Sequence, residues 1–301
     1  MSILVVGSVA LDSVKTPYGE KIEALGGSAT FFSLSASYFA PVNIVAVIGE
    51  DFPKQHLEFL RKRKNIDISG IEIKNGGKTF RWKASYEADI NNPQTLDTQL
   101  NVFGEFNPVI PDRYKDSKYL FLANIDPDLQ HNILSQIKRP RIIACDSMNY
   151  WIKTKRQSLE RLLKKVDIFF VNDSEARLLA EKDNLLKAAK HIITLGPEIV
   201  VVKKGEHGVL FVSRNSSFIV PAYLLEEVID PTGAGDTFAG GFMGYIASQA
   251  KFNDSAYRKA VVYGTVMASF NVESFSVGKL AALKKDLIEK RLKEFIKLTR
   301  F

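Results

Sequence analysis

The sequence predicts an α/β protein in which helices cover both faces of a mostly parallel sheet. Short apolar runs typical of buried strands alternate with amphipathic runs typical of helices along most of the 301 residues. Parallel sheets need helical crossovers of this kind. One interval instead shows the period-two alternation of antiparallel strands, which predicts a small inserted β-structure. No linker or repeat interrupts the chain, so we expect one domain, 1–301.

The strands and helices follow in order from these runs. Buried strands are predicted at residues 3–6, 43–48, 118–123, 141–145, 167–171 and 198–202. Helices are predicted at residues 28–39, 53–63, 128–138, 154–163 and 174–190, with another around residues 263–270. In open sheets of this type, ligands bind in the loops at the carboxyl ends of the strands.

The inserted β-structure is predicted at about residues 69–109. Its alternating run at 79–86 lies between two turn signals, Asn75-Gly76-Gly77 and Asn91-Asn92-Pro93. The residues alone allow either a peripheral hairpin or a lid over an active site.

The net charge of +7 does not by itself indicate a nucleic-acid-binding protein. Between residues 279 and 300, eight basic and three acidic residues accompany an apolar stripe of Leu280, Leu283, Leu287, Leu292 and Phe295. This pattern is typical of the solvated face of a terminal helix. We therefore expect no nucleic-acid partner, although the positive charge favours anionic ligands such as nucleotides.

Composition excludes several other classes of protein. The single cysteine, Cys145, lies in an apolar run and rules out a disulfide framework, while the four scattered histidines do not favour a histidine metal site. Residues 1–7 predict a first strand and not a signal peptide, and no stretch approaches the roughly 18 apolar residues of a membrane span. A cytoplasmic protein without a membrane partner is expected.

The most informative stretch is a glycine turn that opens a helix. After Gly233-Ala234-Gly235-Asp236, apolar residues recur at helical spacing. The first N–H groups of a helix lack internal partners and carry partial positive charge, so this turn is a candidate anion site. Asp236 would repel a bound phosphate unless it accepts a proton from an attacking hydroxyl. The residues alone leave simple helix capping equally open.

The longer motif adds a family resemblance. Asp230-Pro231-Thr232-Gly233-Ala234-Gly235-Asp236-Thr237-Phe238 closely resembles the second signature of the ribokinase-like (PfkB) carbohydrate kinases. The resemblance implies a three-layer ribokinase-like fold, with a β-sheet lid inserted at about 13–25 and 69–109. It also implies ATP and Mg²⁺ as cofactors. Asp230 and Thr232 match positions that bind a monovalent cation such as K⁺ in some relatives.

The resemblance also implies an acceptor site. Gly26-Gly27 matches the diglycine of the first signature, which in the family borders the substrate, and Asp12 matches an aspartate that binds sugar hydroxyls. Without the family, a plain turn and an Asx turn would explain these residues. Two departures weaken the case for ribose, because Ala10 and Phe31 stand where the family usually has asparagines. A larger or partly apolar acceptor, including a nucleoside, becomes more plausible.

On the nucleotide side, the resemblance points to two loops. Asn172-Asp173-Ser174-Glu175 matches the Asn-x-x-Glu motif that organises Mg²⁺, partly through water, although capping by Asp173 or Ser174 would also explain it. Gly205 and Gly208 match a nucleotide loop, where Lys204 takes the place of a threonine. Lys204 could contact a phosphate or be solvated. Asp146 follows a strand, and the resemblance implies only that it lies near the phosphates, without a specific role.

These observations predict an ATP-dependent kinase that phosphorylates a hydroxyl of a small sugar or sugar-like molecule. Asp236 would be the base, and the N–H groups of Gly233, Ala234 and Gly235 would stabilise the transferring group. The alternatives are a nucleoside kinase of the same fold and a non-catalytic binding homologue. The P-loop motif is not matched, because Glu72 stands where its first glycine is required before Gly77-Lys78-Thr79. The Rossmann motif is not matched either, because Phe238 stands in the place of its third glycine. An exposed lid edge leaves a homodimer open.

Overall fold

The computed structural model describes residues 1–87, 90 and 93–300, which form two sheets and eleven α-helices. The strands are β1 (Ile3–Val6), β2 (Ala10–Thr16), β3 (Gly19–Gly26), β4 (Val42–Gly49), β5 (Ile66–Lys74), β6 (Arg81–Ser85), β7 (Gln94–Gln99), β8 (Tyr119–Leu122), β9 (Ile142–Asp146), β10 (Ile168–Asn172), β11 (Ile199–Lys203), β12 (Val209–Ser213) and β13 (Ser217–Val220).

The helices surround the larger sheet. They are α1 (Ser28–Ala36), α2 (Lys54–Arg61), α3 (Pro127–Leu134), α4 (Asn149–Thr154), α5 (Arg156–Leu163), α6 (Asp173–Ala180), α7 (Leu185–Thr194), α8 (Ala234–Ser248), α9 (Asp254–Asn271), α10 (Gly278–Ala282) and α11 (Lys285–Thr299). In the described part of the chain, none of these helices has both the length and the apolar character that crossing a membrane requires.

The larger sheet has nine strands in the order β13-β12-β11-β10-β9-β8-β1-β4-β5. All neighbours from β11 to β5 run parallel, and β12 and β13 add an antiparallel hairpin at one edge. Successive side chains of a strand point to opposite faces. Ile3 and Val5 accordingly pack in one hydrophobic cluster with α1, α8 and α9, whereas Leu4 packs in a second cluster with α5, α6 and α7. The prediction of a mostly parallel sheet with helices on both faces is confirmed.

The smaller sheet has four strands in the order β3-β2-β6-β7. Its strands lie within residues 10–26, 81–85 and 94–99, so the expected start of the second insertion at residue 69 was too early. Residues 69–74 belong instead to β5, which pairs in parallel with β4 in the larger sheet. Gly76, with φ 68°, makes the expected turn after β5. The second expected turn includes Asn91 and Asn92, which lie outside the described residues.

The predicted helix at 174–190 is wrong as one continuous element. The structure divides it into α6 and α7 because Glu181 adopts a left-handed conformation with φ 53°. Asn184 then begins α7, and its side-chain oxygen accepts the N–H of Lys187 at 3.0 Å. The Asn184 cap was a signal in the sequence that the apolar periodicity concealed.

The amphipathic stretch at 279–300 is also divided, into α10 and α11. Leu280 and Phe295 are buried as predicted, but Leu287 is 41% exposed. Its neighbour Ile288 takes the buried position in α11. The break after Ala282 shifts the helical phase. The predicted apolar stripe assumed one continuous helix and therefore included Leu287 instead of Ile288.

Candidate active site

The ends of three adjacent parallel strands supply one side of the site. Asn172 is in register with Lys203 of β11, and Asp146 of β9 is in register with Phe170 of β10. Asp146, Asn172 and Lys203 therefore lie together at the carboxyl edge of the larger sheet. This is the edge at which ligands bind in open α/β folds.

Lys203 and Asp146 form an ion pair within this edge. Nζ of Lys203 donates to Oδ2 of Asp146 at 3.0 Å, and the two side chains are only 18% and 7% exposed. Burial lowers the pKa of Lys203, but Asp146, Glu175 and Asp236 together raise it above its ordinary value. The lysine therefore carries its positive charge among three carboxyl groups.

Lys203 was not predicted as a residue of the site, whereas the neighbouring Lys204 was predicted to lie near the nucleotide. Period-two alternation along β11 was the available signal: Val200 and Val202 face one hydrophobic cluster, and Val201 faces the cluster that contains α8. Lys203 continues the row of Val201 towards α8. Lys204 lies beyond the strand, is half-buried, and donates its backbone N–H to Gly208 at 2.8 Å.

Local structure explains why this loop has glycine at two positions. Gly205 and Gly208 have φ values of 53° and 81°, in the region that favours glycine. A Cβ on Gly208 would also overlap with the backbone of Val220 and Pro221. Their contact with a nucleotide stays a prediction.

The Asn172-x-x-Glu175 motif forms a capping box at the start of α6. The Asn172 side-chain oxygen accepts the N–H of Glu175, and the Glu175 carboxylate accepts the N–H of Asn172, both at 2.8 Å. The helix cap is thus Asn172 and neither Asp173 nor Ser174. Burial, and secondly Asp146, raises the pKa of Glu175 to about 7, although Lys203 and the Asn172 N–H oppose the shift.

The donor set at this edge suits Mg²⁺. Asp146, Asn172 and Glu175 offer hard oxygen atoms, and within the residues that the structure describes, no three His, Cys, Asp or Glu side chains form a metal cage. Mg²⁺ keeps several waters and commonly binds through few protein oxygens and through phosphates. These three residues would hold it together with the nucleotide.

The glycine turn before α8 has the expected special backbone. Gly233 is the left-handed residue before the helix, with φ 74° and ψ 4°. A Cβ at this position would overlap with the ring of Phe31 from α1, so glycine is required by both conformation and space. The Ala234 N–H donates to the Pro231 carbonyl at 3.1 Å. Of the three predicted anion donors, Ala234 is therefore already engaged in this structure.

Asp236 lies in the first turn of α8 and is half-buried. Burial, and secondly the charge of Asp146, raises its pKa to about 7, whereas Lys203 and the Asp236 N–H lower it. A carboxyl group with this pKa is matched to proton transfer near neutral pH. The structure therefore gives Asp236 an environment suited to a general base.

Asp12 and the diglycine form a second part of the site. The buried Asp12 lies in β2, and its Oδ2 accepts the N–H of Gly27 at 3.3 Å. A Cβ on Gly26 would overlap with the Asp12 carboxyl group, and Gly27, with φ 93°, lies against the Ser8 carbonyl. Burial raises the pKa of Asp12 to about 7, the Gly27 N–H opposes this, and the charges of Asp230 and Asp236 add to it.

Asp12 shares a narrow cleft with the residues before α8. Its walls include two carboxylates, Asp12 and Asp230, and four apolar side chains, Val14, Ala24, Leu25 and Phe31. Asp230 accepts the N–H groups of Thr232 and Ser276, both at 2.9 Å. Both carboxylate oxygens of Asp230 thus already accept protein donors. The K⁺ site predicted at Asp230 and Thr232 stays a prediction.

One side chain of the smaller sheet reaches the same turn. Tyr86 follows β6, and its hydroxyl lies 3.3 Å from Oγ1 of Thr232. Both side chains are buried. Burial raises the pKa of the Tyr86 phenol, the hydrogen bond with Thr232 opposes this, and the charges of Asp230 and Asp12 add to it. This contact joins the smaller sheet to the start of α8.

Comparison with known proteins gives relatives along most of the chain. The model of the pfkB family carbohydrate kinases matches residues 22–282. A cytidine kinase from Thermococcus kodakarensis is 34% identical over 251 residues, which cover 81% of this chain and 87% of that protein. An inositol 3-kinase from Arabidopsis thaliana is 23% identical over 309 aligned positions, covering 97% of this chain and 81% of that protein.

Solved structures share the fold at low sequence identity. A nucleoside kinase from Methanocaldococcus jannaschii, described as an archaeal member of the ribokinase family, has a TM-score of 0.77 and 19% identity, with 97% of this chain and 98% of that chain covered. A protein from E. coli solved with ATP and Mg²⁺ has a TM-score of 0.80 and 18% identity, with 97% and 99% covered. The fold is ribokinase-like, and by the extent of the family match and the identity to the cytidine kinase, this chain belongs to the PfkB family of carbohydrate kinases.

Proposed function

We propose that this chain transfers the γ-phosphoryl group of ATP to a hydroxyl of a nucleoside, with Asp236 as the general base. Its family makes it a sugar or nucleoside kinase, and the proposal concerns the acceptor and the residues that act on it. The observation that carries the proposal is the cleft that Asp12 shares with Asp230 and Thr232, the residues that lead into the glycine turn and Asp236.

The two carboxylates have different tasks in this proposal. A carboxylate can accept two hydroxyl donors, so Asp12 binds and orients the acceptor. Asp236 takes the proton of the attacking hydroxyl. The positive end of α8 and the free N–H donors of its first turn stabilise charge on the transferring group. When bound, Mg²⁺ neutralises phosphate charge, and Asp146, Asn172 and Glu175 would hold it.

The walls of the cleft support a nucleoside over a simple sugar. Ala10 and Phe31 are buried and offer no side-chain hydrogen bond to a sugar hydroxyl. Val14, Leu25 and Phe31 instead line the cleft beside Asp12. An apolar wall stabilises a base more than it stabilises a second set of hydroxyls. The 34% identity to a cytidine kinase supports the same acceptor class and makes cytidine the first nucleoside to test.

The test is a comparison of acceptors with MgATP, measured as ADP release. Cytidine, uridine, adenosine and inosine are compared with ribose, fructose and inositol, and ³¹P NMR of the product identifies the phosphorylated hydroxyl. We expect at least one nucleoside to exceed every free polyol about 100-fold in kcat/KM, the effect of roughly 2.7 kcal/mol in transition-state stabilisation.

Two other outcomes would contradict the proposal at different levels. Preference for ribose or another free polyol would reject the nucleoside while keeping the kinase. If calorimetry detects binding of nucleosides but no acceptor leads to release of ADP from ATP, the non-catalytic homologue is favoured instead.

A further inference from the structure

The side chain of Lys203 lies against the turn that opens α8. A Cβ built on Gly235 would be only 2.9 Å from Nζ of Lys203 and 3.6 Å from its Cδ and Cε. The ammonium group is therefore beside bare backbone of this turn, in space that another residue at position 235 would fill. An anion that bound the N–H groups of the turn would come within reach of the same ammonium group.

The ammonium group of Lys203 has donors to spare, because an ammonium group carries three N–H bonds. Its one hydrogen-bond partner in the described structure is Asp146, at 3.0 Å, while the charges of Asp146, Glu175 and Asp236 all act on it. One cation faces three carboxyl groups. A metal ion that arrived with a nucleotide would neutralise part of this negative charge and weaken the hold of Asp146 on the lysine.

The chemistry of lysine fits this position. Its ammonium group has three donors on a flexible four-carbon stem, so it can keep one contact with Asp146 and direct another donor to a phosphate oxygen. Side-chain exposure of 18% leaves part of Lys203 accessible to solvent, while most of its length is buried. A charged donor in such a partly desolvated place interacts more strongly with an anion than a solvated one does.

We infer that Lys203 contacts the transferring phosphoryl group and stabilises the charge that develops on it, while Asp146 positions the ammonium group between turnovers. The inference rests on the proposed kinase function. It assigns the contact to Lys203 and not to its neighbour Lys204, because only Lys203 lies on the strand face that is turned to α8.

The first experiment compares K203M, K204M and the exposed α7 variant K190M with the wild-type enzyme. A lost hydrogen bond to a charged group corresponds to about 10- to 100-fold, so we expect K203M to lower kcat by that factor. K203M should also weaken binding of MgADP with aluminium fluoride, a mimic of the transferring group, by a similar factor, and change binding of MgADP alone less than about threefold. K190M should match the wild type. The kcat of K204M should be at least ten times the kcat of K203M. An equal or larger loss in K204M would overturn the inference.

The second experiment separates phosphate contact from simple neutralisation of Asp146. K203M is introduced into the D146N variant, and turnover and aluminium fluoride binding are compared with D146N alone. If Lys203 only balances the Asp146 charge, its removal has no further effect in D146N, and the inference fails. If it contacts the transferring group, the double variant loses a further tenfold or more in the fluoride complex. Absence of ADP release by the wild type would reject the kinase function itself, which keeps the two failures distinct.

Discussion

Three carboxyl groups of the site share one electrostatic feature. Burial is the first cause that raises the pKa of Asp12, Glu175 and Asp236, each to about 7. Each group is affected by the charge of at least one other carboxyl in the site. Such clustering of perturbed pKa values is typical of functional sites, because the fold holds groups there that would be more stable in water.

Asp236→Asn should lower kcat by about 10²- to 10⁴-fold, because the variant has no carboxylate to accept the proton. The wild-type rate should rise with pH through about 7 and level off above it, since the base acts only when it is deprotonated. That rise should be absent from the residual rate of the variant. Steady-state kinetics between pH 5.5 and 8.5 measure both effects, with the exposed Asp286→Asn as control. Turnover of Asp236→Asn within about threefold of the wild type would reject the base.

Asp12→Asn should change the pH dependence of stability. The raised pKa of Asp12 means that its contribution to stability is present below about 4 and is lost as pH rises through about 7, where the buried group ionises. Asparagine stays neutral and can still accept the Gly27 N–H. The Tm of the variant minus that of the wild type should therefore increase between pH 5 and 8 in thermal unfolding. A difference that does not vary with pH would contradict the shift, and acceptor binding should weaken at every pH.

At the scale of elements, α1 and α8 meet at the glycine turn. Phe31 of α1 covers Gly233 so closely that no side chain fits there. The same phenylalanine lines the cleft beside Asp12. One side chain therefore shapes both the cleft proposed for the acceptor and the turn proposed for the phosphate, so its substitution should affect both.

Gly233→Ala should destabilise the fold for two reasons, a left-handed backbone and overlap with Phe31. Gly76→Ala is a matched control, because Gly76 has a similar φ of 68° with nothing within 4 Å of its added Cβ. The control should lose about 1 kcal/mol of unfolding free energy from backbone strain alone, and Gly233→Ala at least about 1 kcal/mol more. Denaturant unfolding gives both values. Adding Phe31→Ala should reduce the effect of Gly233→Ala to about that of the control, whereas equal losses at positions 76 and 233 would exclude the overlap.

At the scale of the whole molecule, the smaller sheet touches the turn before α8 through Tyr86 and Thr232. The sheet also carries Asp12 on β2. We propose that it acts as a lid whose closed position this contact favours, so that closure and acceptor binding are linked. Pairing of the lid edge with a second copy stays a prediction.

Tyr86→Phe should loosen the lid without removing the packing of the ring. A hydrogen bond of this kind contributes about 1 kcal/mol, so the KM for the acceptor should rise roughly fivefold. Amide hydrogen exchange in residues 81–87 should become faster. Tyr18→Phe is the control, because Tyr18 belongs to the same sheet region but is 48% exposed. Unchanged exchange in Tyr86→Phe would show that the contact does not hold the lid.

The amino-acid sequence by itself determined the fold class, the family and the position of the glycine turn. Strand and helix periods are local, so alternating patterns located six strands of the larger sheet to within a residue or two. Gly233 and Gly27 were identified by their match to the family signatures, and the structure gives them φ values of 74° and 93°, which favour glycine. Helix breaks were missed at Glu181 and after Ala282, where long apolar periodicity outweighed short capping signals.

Only the tertiary structure decided what the charged residues face. It packed α8 over the strand face that carries Lys203, brought Asp146 and Asp236 to this lysine, and placed Phe31 over Gly233. Contacts and pKa shifts depend on burial and on charges that are distant in the chain and close in space. Lys203 and Asp146, for example, are separated by 57 positions and joined by one hydrogen bond. Local sequence patterns do not reveal such contacts. Which strands of a parallel sheet lie side by side depends on long crossover connections and not on neighbouring residues in the sequence.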